Sequence, residues 1–312
     1  MKIHTAILTS LSAMLCVTQA CADLPPTCPP ADGVAVQVLG SGGPIADDAR
    51  ASSAYLVWVD GKARVLIDAG GGSFLRFGEA QAGFSDLDFV GLSHFHADHS
   101  AGFPALLKSG NFANRKRPLT VAGPSGSDRF PGLEKYLTSI LDSSDGAYAY
   151  LSGYLDGTRG LPKIDSIEVN TETSRGQDLL TGGGSEIAVY AMHVPHGIVP
   201  AIAFRVAVNG KTIVFSSDQN GSNTEFADFA SDATLLIMHM PIPEDAGEGA
   251  RQLHAIPSKI GEVAAAANAE KLLLSHFMAR SLAGLSENVR IVRNGYEGEV
   301  LIAEDLYCHV IR

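Results

Sequence analysis

Four side chains able to bind a metal fall within six positions, in His94-Phe95-His96-Ala97-Asp98-His99. A short apolar run, Asp88–Leu92, leads straight into them, so the cluster sits where a strand ends. His94 and His96 are two apart and point to one side of an extended chain. Asp98 and His99 follow where the chain turns away. Imidazole nitrogens and a carboxylate are donors that suit zinc. At this spacing they crowd a single ion. The natural split puts His94 and His96 on one ion and Asp98 and His99 on a second. Such a loop needs a rigid sheet behind it.

Further donors stand at similar places. His196 lies in Val194-Pro195-His196-Gly197, just after a strand ending near His193. Asp218 closes Phe215-Ser216-Ser217-Asp218, and His276 closes Leu272-Leu273-Leu274-Ser275-His276. Each follows an apolar strand, so all can gather on one edge of the sheets. His193 competes with His196, but Val194 and Pro195 beside it favour burial.

The rest of the chain supplies those sheets. Asp60-Gly61 between Ala54–Val59 and Ala63–Ile67 is a hairpin signal, and Asn209-Gly210 between Ala201–Val208 and Thr212–Ser216 repeats it. Further strands are expected at Val34–Leu39, Leu119–Val121, Glu186–His193, Thr234–Met238, Lys271–Ser275, Glu299–Ile302 and Leu306–Ile311. Helices are expected near Pro104–Leu107 and over the Ala-rich Pro257–Asn268. The pattern predicts one α/β domain over residues 34–312, with two mixed sheets and outer helices. Residues 142–184 form the least regular stretch and read as a site loop, with Tyr148, Tyr150 and Tyr154 as possible pocket lining.

The N-terminus reads differently. Lys2 and His4 precede an apolar stretch from Ala6 to Val17, and Ala20-Cys21-Ala22 makes a small-x-small cleavage site before Asp23. This is the pattern of a secretory signal over residues 1–22, followed by a Pro-rich leader over 23–33. It predicts an exported, periplasmic or secreted protein. Lipid anchoring through Cys21 ranks second, because Thr18 replaces the usual large apolar residue. Cleavage would leave Cys28 and Cys308, either bridged or as two separate thiols. No long apolar run follows the first twenty residues, so no membrane span is expected. The formal net charge is -11, and the only compact basic run is Arg115-Lys116-Arg117. An acidic surface disfavours polyanions. The partner expected is a small-molecule ester rather than a nucleic acid, and a homodimer is left open.

The ordered set of donors resembles the metallo-β-lactamase superfamily of two-metal hydrolases. Within it, the chain resembles the ribonuclease Z and arylsulfatase branch. The residues that carry this are Val36–Gly43 (VQVLGSGG), Ser52–Tyr55 (SSAY), Leu66–Gly71 (LIDAGG), Leu92–Gly102 (LSHFHADHSAG), Val121–Gly126 (VAGPSG), Phe215–Asp218 (FSSD) and Leu273–Phe277 (LLSHF). The resemblance implies an αββα sandwich of two mixed β-sheets flanked by helices. It implies one zinc on His94, His96 and His196, and another on Asp98, His99 and His276. Asp218 would bridge them, with a hydroxide completing the bridge. Manganese or iron are the alternative metals. His254 resembles the family's proton donor, and Asp98 could also orient the nucleophile. Arg280, four residues after His276, is a candidate to grip an anionic ester.

Two departures bear on the substrate. Met240 follows His239 where the resemblance implies an acid, so a relay through His254 lacks its acidic member. The strand after His196 begins almost at once, leaving no room there for a tRNA-gripping arm. Small phosphodiesters and aryl sulfates are therefore expected first, lactones next and β-lactams last. A mono-iron dioxygenase on the same fold is the alternative of another class. His96 argues against the flavin-linked relatives, which typically carry an acid there.

Overall fold

A computed structural model describes residues 28, 30–173, 175–180 and 187–312. The expected signal over 1–22, with Cys16 and Cys21, lies outside them, as does much of the Pro-rich leader. The strands in chain order are β1 (Val34–Gly40), β2 (Ala54–Val59), β3 (Lys62–Ile67), β4 (Phe89–Gly91), β5 (Leu119–Pro124), β6 (Ile164–Val169) and β7 (Gln177–Leu180). They continue as β8 (Ile187–His196), β9 (Val199–Val208), β10 (Lys211–Phe215), β11 (Leu235–His239), β12 (Lys271–Ser275), β13 (Glu299–Ile302) and β14 (Cys308–Ile311).

Both Asx-Gly turns form as the sequence predicts. Asp60 and Gly61 take φ of 47° and 75°, and Asn209 and Gly210 take 50° and 71°. Two successive left-handed residues give the turn whose twist matches the strands it joins. The hairpins β2–β3 and β9–β10 then seed two seven-stranded sheets, ordered β14-β1-β2-β3-β4-β5-β6 and β13-β12-β11-β10-β9-β8-β7. Each sheet is antiparallel around its hairpin and parallel beyond it, from β3 to β6 and from β10 to β13. Parallel neighbours need crossover connections, and the helices in these lie on the outer faces.

Side-chain alternation shows which face packs where. Val34, Val36 and Val38 of β1, with Tyr55 and Val57 of β2, share a core with Val189, Ala191, Phe204 and Val206 of the second sheet. The intervening Ala35, Leu39, Leu56 and Trp58 join a separate cluster with Phe103, Leu106 and Leu107 of the helix Phe103–Gly110. Strands covered on both faces read as continuous apolar runs. This is the expected αββα sandwich.

Two details differ from expectation. Residues 142–184 are not one irregular loop, because β6 and β7 lie there as the edge strands of the two sheets. An edge strand pairs on one side only, and β6 keeps just its end residues buried, so the apolar signal is weak. In addition, β8 runs on to His196 instead of ending near His193.

Cys28 and Cys308 are joined, with Cα atoms 5.8 Å apart and 280 residues between them in sequence. The bridge ties the start of the described chain to β14, beside β1. Replacing both with serine is expected to lower stability by about 2–4 kcal/mol, as read from urea unfolding. Rapid alkylation of either thiol in the native, unreduced protein would contradict the pairing.

Candidate metal centre

The C-terminal ends of strands from both sheets meet at one edge of the sandwich. Asp68 follows β3, the His94–His99 loop follows β4, His196 closes β8, Asp218 follows β10, His239 closes β11 and His276 follows β12. The turn Ala97–Ser100 is helical, with His96 as its extended N-cap, and this swings Asp98 and His99 back toward the sheet. Each functional side chain thus stands on a short loop anchored by a buried strand.

The donor atoms form overlapping groups. Those of His94, His96 and His196 all lie within 4.8 Å of one another, as do those of His99, Asp218, His239 and His276. Asp98 Oδ2 lies 3.2 Å from His276 Nε2 and 3.5 Å from His99 Nε2. Asp218 lies between the groups. Its Oδ1 is 3.4 Å from His276 Nε2, and its Oδ2 is 3.6 Å from His99 Nε2 and 3.8 Å from His196 Nε2. All seven residues proposed as ligands from sequence therefore meet in one cluster, buried except for the partly exposed His96.

Neighbours fix the rings. His99 Nδ1 donates to Asp68 Oδ2 at 2.7 Å, and Asp68 is itself held by the Ser93 backbone N–H at 2.7 Å and the Ser93 hydroxyl at 2.9 Å. His196 Nδ1 donates to the Leu253 carbonyl at 2.9 Å. Each bond leaves Nε2 aimed into the centre, the usual arrangement around metal-binding histidines. His239 differs. Its Nδ1 donates to Asp218 Oδ1 at 2.7 Å, while its Nε2 lies 3.1 Å from the Tyr55 hydroxyl. With both nitrogens engaged, His239 orients Asp218. Asp68 lay inside the LIDAGG stretch and His239 at a strand end, but neither position signalled its partner in sequence.

The electrostatics follow from burial and these contacts. Burial would raise the Asp218 carboxyl, yet His276, His254 and His99 around it hold it well below the usual range. Burial also opposes ionisation of Asp98, and His276 and His99 bring it down to about 2. Burial lowers His94 strongly and His239 to about 4. It also opposes protonation of His99, but Asp68 and Asp218 raise that group well above its ordinary value.

The backbone is constrained at the same places. Asp68, Ser217 and His276 take positive φ of 59°, 57° and 55°, a costly conformation for side-chain-bearing residues that concentrates at functional sites. Gly70 leaves no room for a Cβ, which would stand 2.1 Å from the Asp98 carbonyl oxygen. The loop carrying Asp98 is thus packed directly onto the chain after β3.

The donor set fits metal ions. His196 Nε2 is buried without a hydrogen-bond partner and faces the other two histidines of its group. His94 Nε2 lies 3.1 Å from His96 Nδ1, and His99 Nε2 lies 3.1 Å from His276 Nε2. Nitrogens bound to a tetrahedral zinc at about 2.0–2.1 Å sit about 3.3–3.4 Å apart, close to these separations. An unpartnered buried nitrogen among such neighbours is a ligand-shaped arrangement.

The remaining expected residues are less uniform. His254 does reach the centre, with Nδ1 3.8 Å from Asp218 Oδ2 and its ring 5.2 Å from that of His196. Burial lowers its pKa to about 3. Met240 is fully buried in the core, so its position presents no acid to His254. Arg280 is exposed, and its Nε donates to the Pro241 carbonyl at 3.0 Å. His193 stays outside the donor groups. Tyr154 is buried, its hydroxyl donating to the Leu107 carbonyl at 2.8 Å.

Comparison with known proteins agrees with this geometry. A family model described as the metallo-beta-lactamase superfamily matches residues 47–251. Ribonuclease Z of Methanosarcina mazei is 27% identical over 293 residues, covering 86% of this chain and 95% of that protein. Ribonuclease Z of Halorubrum lacusprofundi is 28% identical over 305 residues, covering 86% and 94%. Among solved structures, a metallo-beta-lactamase fold protein of Bacillus subtilis superposes with a TM-score of 0.68 at 22% identity, covering 89% of this chain and 99% of that one. The short form of human tRNase Z does so with 0.67 at 21%, again covering 89% and 99%.

Two expectations are corrected by these findings. The partner was expected to be a small ester with nucleic acid disfavoured, but relatives matched over nearly their whole length are named as ribonucleases. Net charge misled because it averages over the surface, whereas a charged partner responds to the local field, which divalent ions held by the donor set would dominate. The expectation of an exported or periplasmic protein is likewise overturned by relatives named as ribonucleases. It rested on residues 1–22, which lie outside the described residues. Among the described residues no helix is long and apolar enough to cross a membrane.

Proposed function

The chain belongs to the metallo-beta-lactamase superfamily, and from that premise we propose that it is a two-zinc phosphodiesterase that cleaves RNA. Metal-dependent hydrolysis of ester bonds is the class its family and relatives give it. The observation that carries the finer reading is the position of Asp218 between two groups of donors. His94, His96 and His196 would hold one ion, Asp98, His99 and His276 the other, and Asp218 both. When bound, the ions lower the pKa of water to about 7 and neutralise charge on the phosphoryl oxygens.

The chain's own residues supply the rest. Asp98 is mostly buried, its Oδ2 3.2 Å from His276 Nε2, near enough for the two to hold the same ion and for Asp98 to orient the attacking water. Asp68 and His239 hold His99 and Asp218 in register. His254 stands on the open side, with its side chain 12% exposed. We assign it the proton for the departing oxygen, which a pKa lowered to about 3 by burial lets it hold only once the anionic phosphodiester stands beside it. The Leu253 carbonyl beside it orients His196, so one short segment serves both the metal and the leaving group.

The test is cleavage of a tRNA precursor carrying a 3′ extension, beside a nitrophenyl phosphodiester as a chemical probe. Zinc-loaded protein is expected to cleave both, to lose both on chelation and to regain both with zinc. Protein that keeps its metal and cleaves the probe, yet leaves the RNA intact, would overturn the RNA reading.

A further inference from the structure

Phe95 sits between two histidines of the loop, and its ring shares a cleft with one of them. It stacks on Tyr136, with ring centroids 4.5 Å apart and planes at 11°. Phe95 and Tyr136, with His96, Phe130 and Pro131, line a cleft of about 180 Å³ floored by the start of β9. His96 is thus shared: one of the three histidines proposed for the first ion is also a wall of this cleft.

The lining is aromatic and apolar and carries no charged side chain. Its polar groups are the His96 ring and the Tyr136 hydroxyl, and the hydroxyl already donates to the Ser100 carbonyl at 3.2 Å. The far wall is built rigidly. The Ser127 N–H donates to the Phe130 carbonyl at 2.9 Å, closing a tight turn. A Cβ on Gly126 would stand 2.6 Å from the Gly132 nitrogen, so the two arms of that loop are in direct contact. The Glu134 N–H donates to Glu168 at 2.9 Å, tying the loop's end to β6.

We propose that this cleft seats a nucleobase next to the scissile phosphate, stacked among Phe95, Phe130 and Tyr136. The proposal rests on the RNA reading above and names how that substrate is held. A cleft without charge gives a phosphate nothing to bind. It does offer a planar ring several faces, and ring stacking is how proteins grip unpaired bases. With the Tyr136 hydroxyl already donating, the His96 imidazole is the side-chain polar group left to meet a base edge, and since every base edge carries an acceptor for one N–H, the four bases are held with similar strength. Continuity through His96 links the stacked ring to the phosphate at the ions.

The experiment compares adenosine 5′-monophosphate with ribose 5-phosphate as ligands of the zinc-loaded protein, by calorimetry, with zinc content measured on the same samples. The nucleotide is expected to bind about tenfold tighter or more. That advantage should vanish in Phe130→Ala and persist in Phe130→Tyr, both keeping the zinc content of the parent. The other three nucleoside monophosphates should share the advantage within a few-fold. Equal binding of nucleotide and ribose phosphate by the parent protein would overturn the proposal. So would an unchanged advantage in Phe130→Ala. The two readings fail separately: a ring-dependent advantage without RNA cleavage sinks only the RNA reading. RNA cleavage with no ring advantage, and no loss on abasic substitution beside the scissile bond, sinks only the cleft.

Discussion

Asp218→Asn is expected to lower turnover about a thousandfold or more while leaving the fold intact. The carboxylate is buried and reaches histidines of both donor groups. Sharing one charge between two ions contributes several kcal/mol of charge stabilisation in such centres, and each 1.36 kcal/mol is a factor of ten in rate. Asparagine keeps the volume and a carbonyl oxygen for His239 Nδ1, which now lies 2.7 Å from Asp218 Oδ1. The circular dichroism spectrum and unfolding midpoint of the metal-free protein should therefore stay near those of the parent. Most of the loss should fall on kcat, because the carboxylate serves the ions rather than the remote parts of a substrate. A variant that keeps both its zinc ions and full turnover would remove Asp218 from the centre.

Asp68→Ala should be the most damaging change outside the proposed ligands. Asp68 accepts from the Ser93 N–H, the Ser93 hydroxyl and His99 Nδ1, all in a buried setting. Each donor left unpaired costs about 1–3 kcal/mol, so a total of about 3 kcal/mol or more is expected. Positive φ at this position adds to the cost, since alanine tolerates that conformation less well than aspartate or asparagine. Loss of the carboxylate behind His99 should also weaken zinc binding by about 10–100-fold. Asp68→Asn separates the two effects. It keeps the shape and the backbone preference, so it should recover most of the stability but not the zinc affinity. Equal zinc affinity in the parent and both variants would show that Asp68 only supports the fold.

Much of this centre was legible in the sequence because metal-binding chemistry is local. His94, His96, Asp98 and His99 are neighbours in the chain, and His196, Asp218 and His276 each follow an apolar run. Strand ends can be recognised without knowing which strands pair. The two Asx-Gly turns were legible for a similar reason, since left-handed backbone favours those residues. What was missed depends on partners far apart in the chain. The roles of Asp68, 31 residues from His99, and of His239, 21 from Asp218, exist only once the strand ends meet. The Leu253 carbonyl that orients His196 carries no side-chain signal at all. β6 and β7 were hidden because edge strands need little apolar patterning. Tyr154 shows the reverse error: a polar-tipped ring in a Gly- and Ser-rich stretch lies fully buried under the helix Phe103–Gly110, its hydroxyl satisfied by one carbonyl.

The expectation of a small-molecule partner rather than a nucleic acid failed for a different reason. Net charge describes the whole molecule, and the surface of a -11 protein says little about a cleft in which two divalent ions would bring four positive charges. The short turn after His196, with Val199 pairing back to His196, limits only what can be built at that place. It does not bear on how the RNA proposed as substrate would be held elsewhere, as in the proposed aromatic cleft beside His96.

The central claim is that one buried cluster holds two ions through a shared carboxylate. Its most direct test is the zinc content of the native chain after exhaustive dialysis against metal-free buffer, by elemental analysis against a quantified protein concentration. Two zinc ions per chain are expected for the parent, with fewer than two in Asp218→Asn. A parent that retains a single ion, or none, while still hydrolysing a phosphodiester would contradict the account.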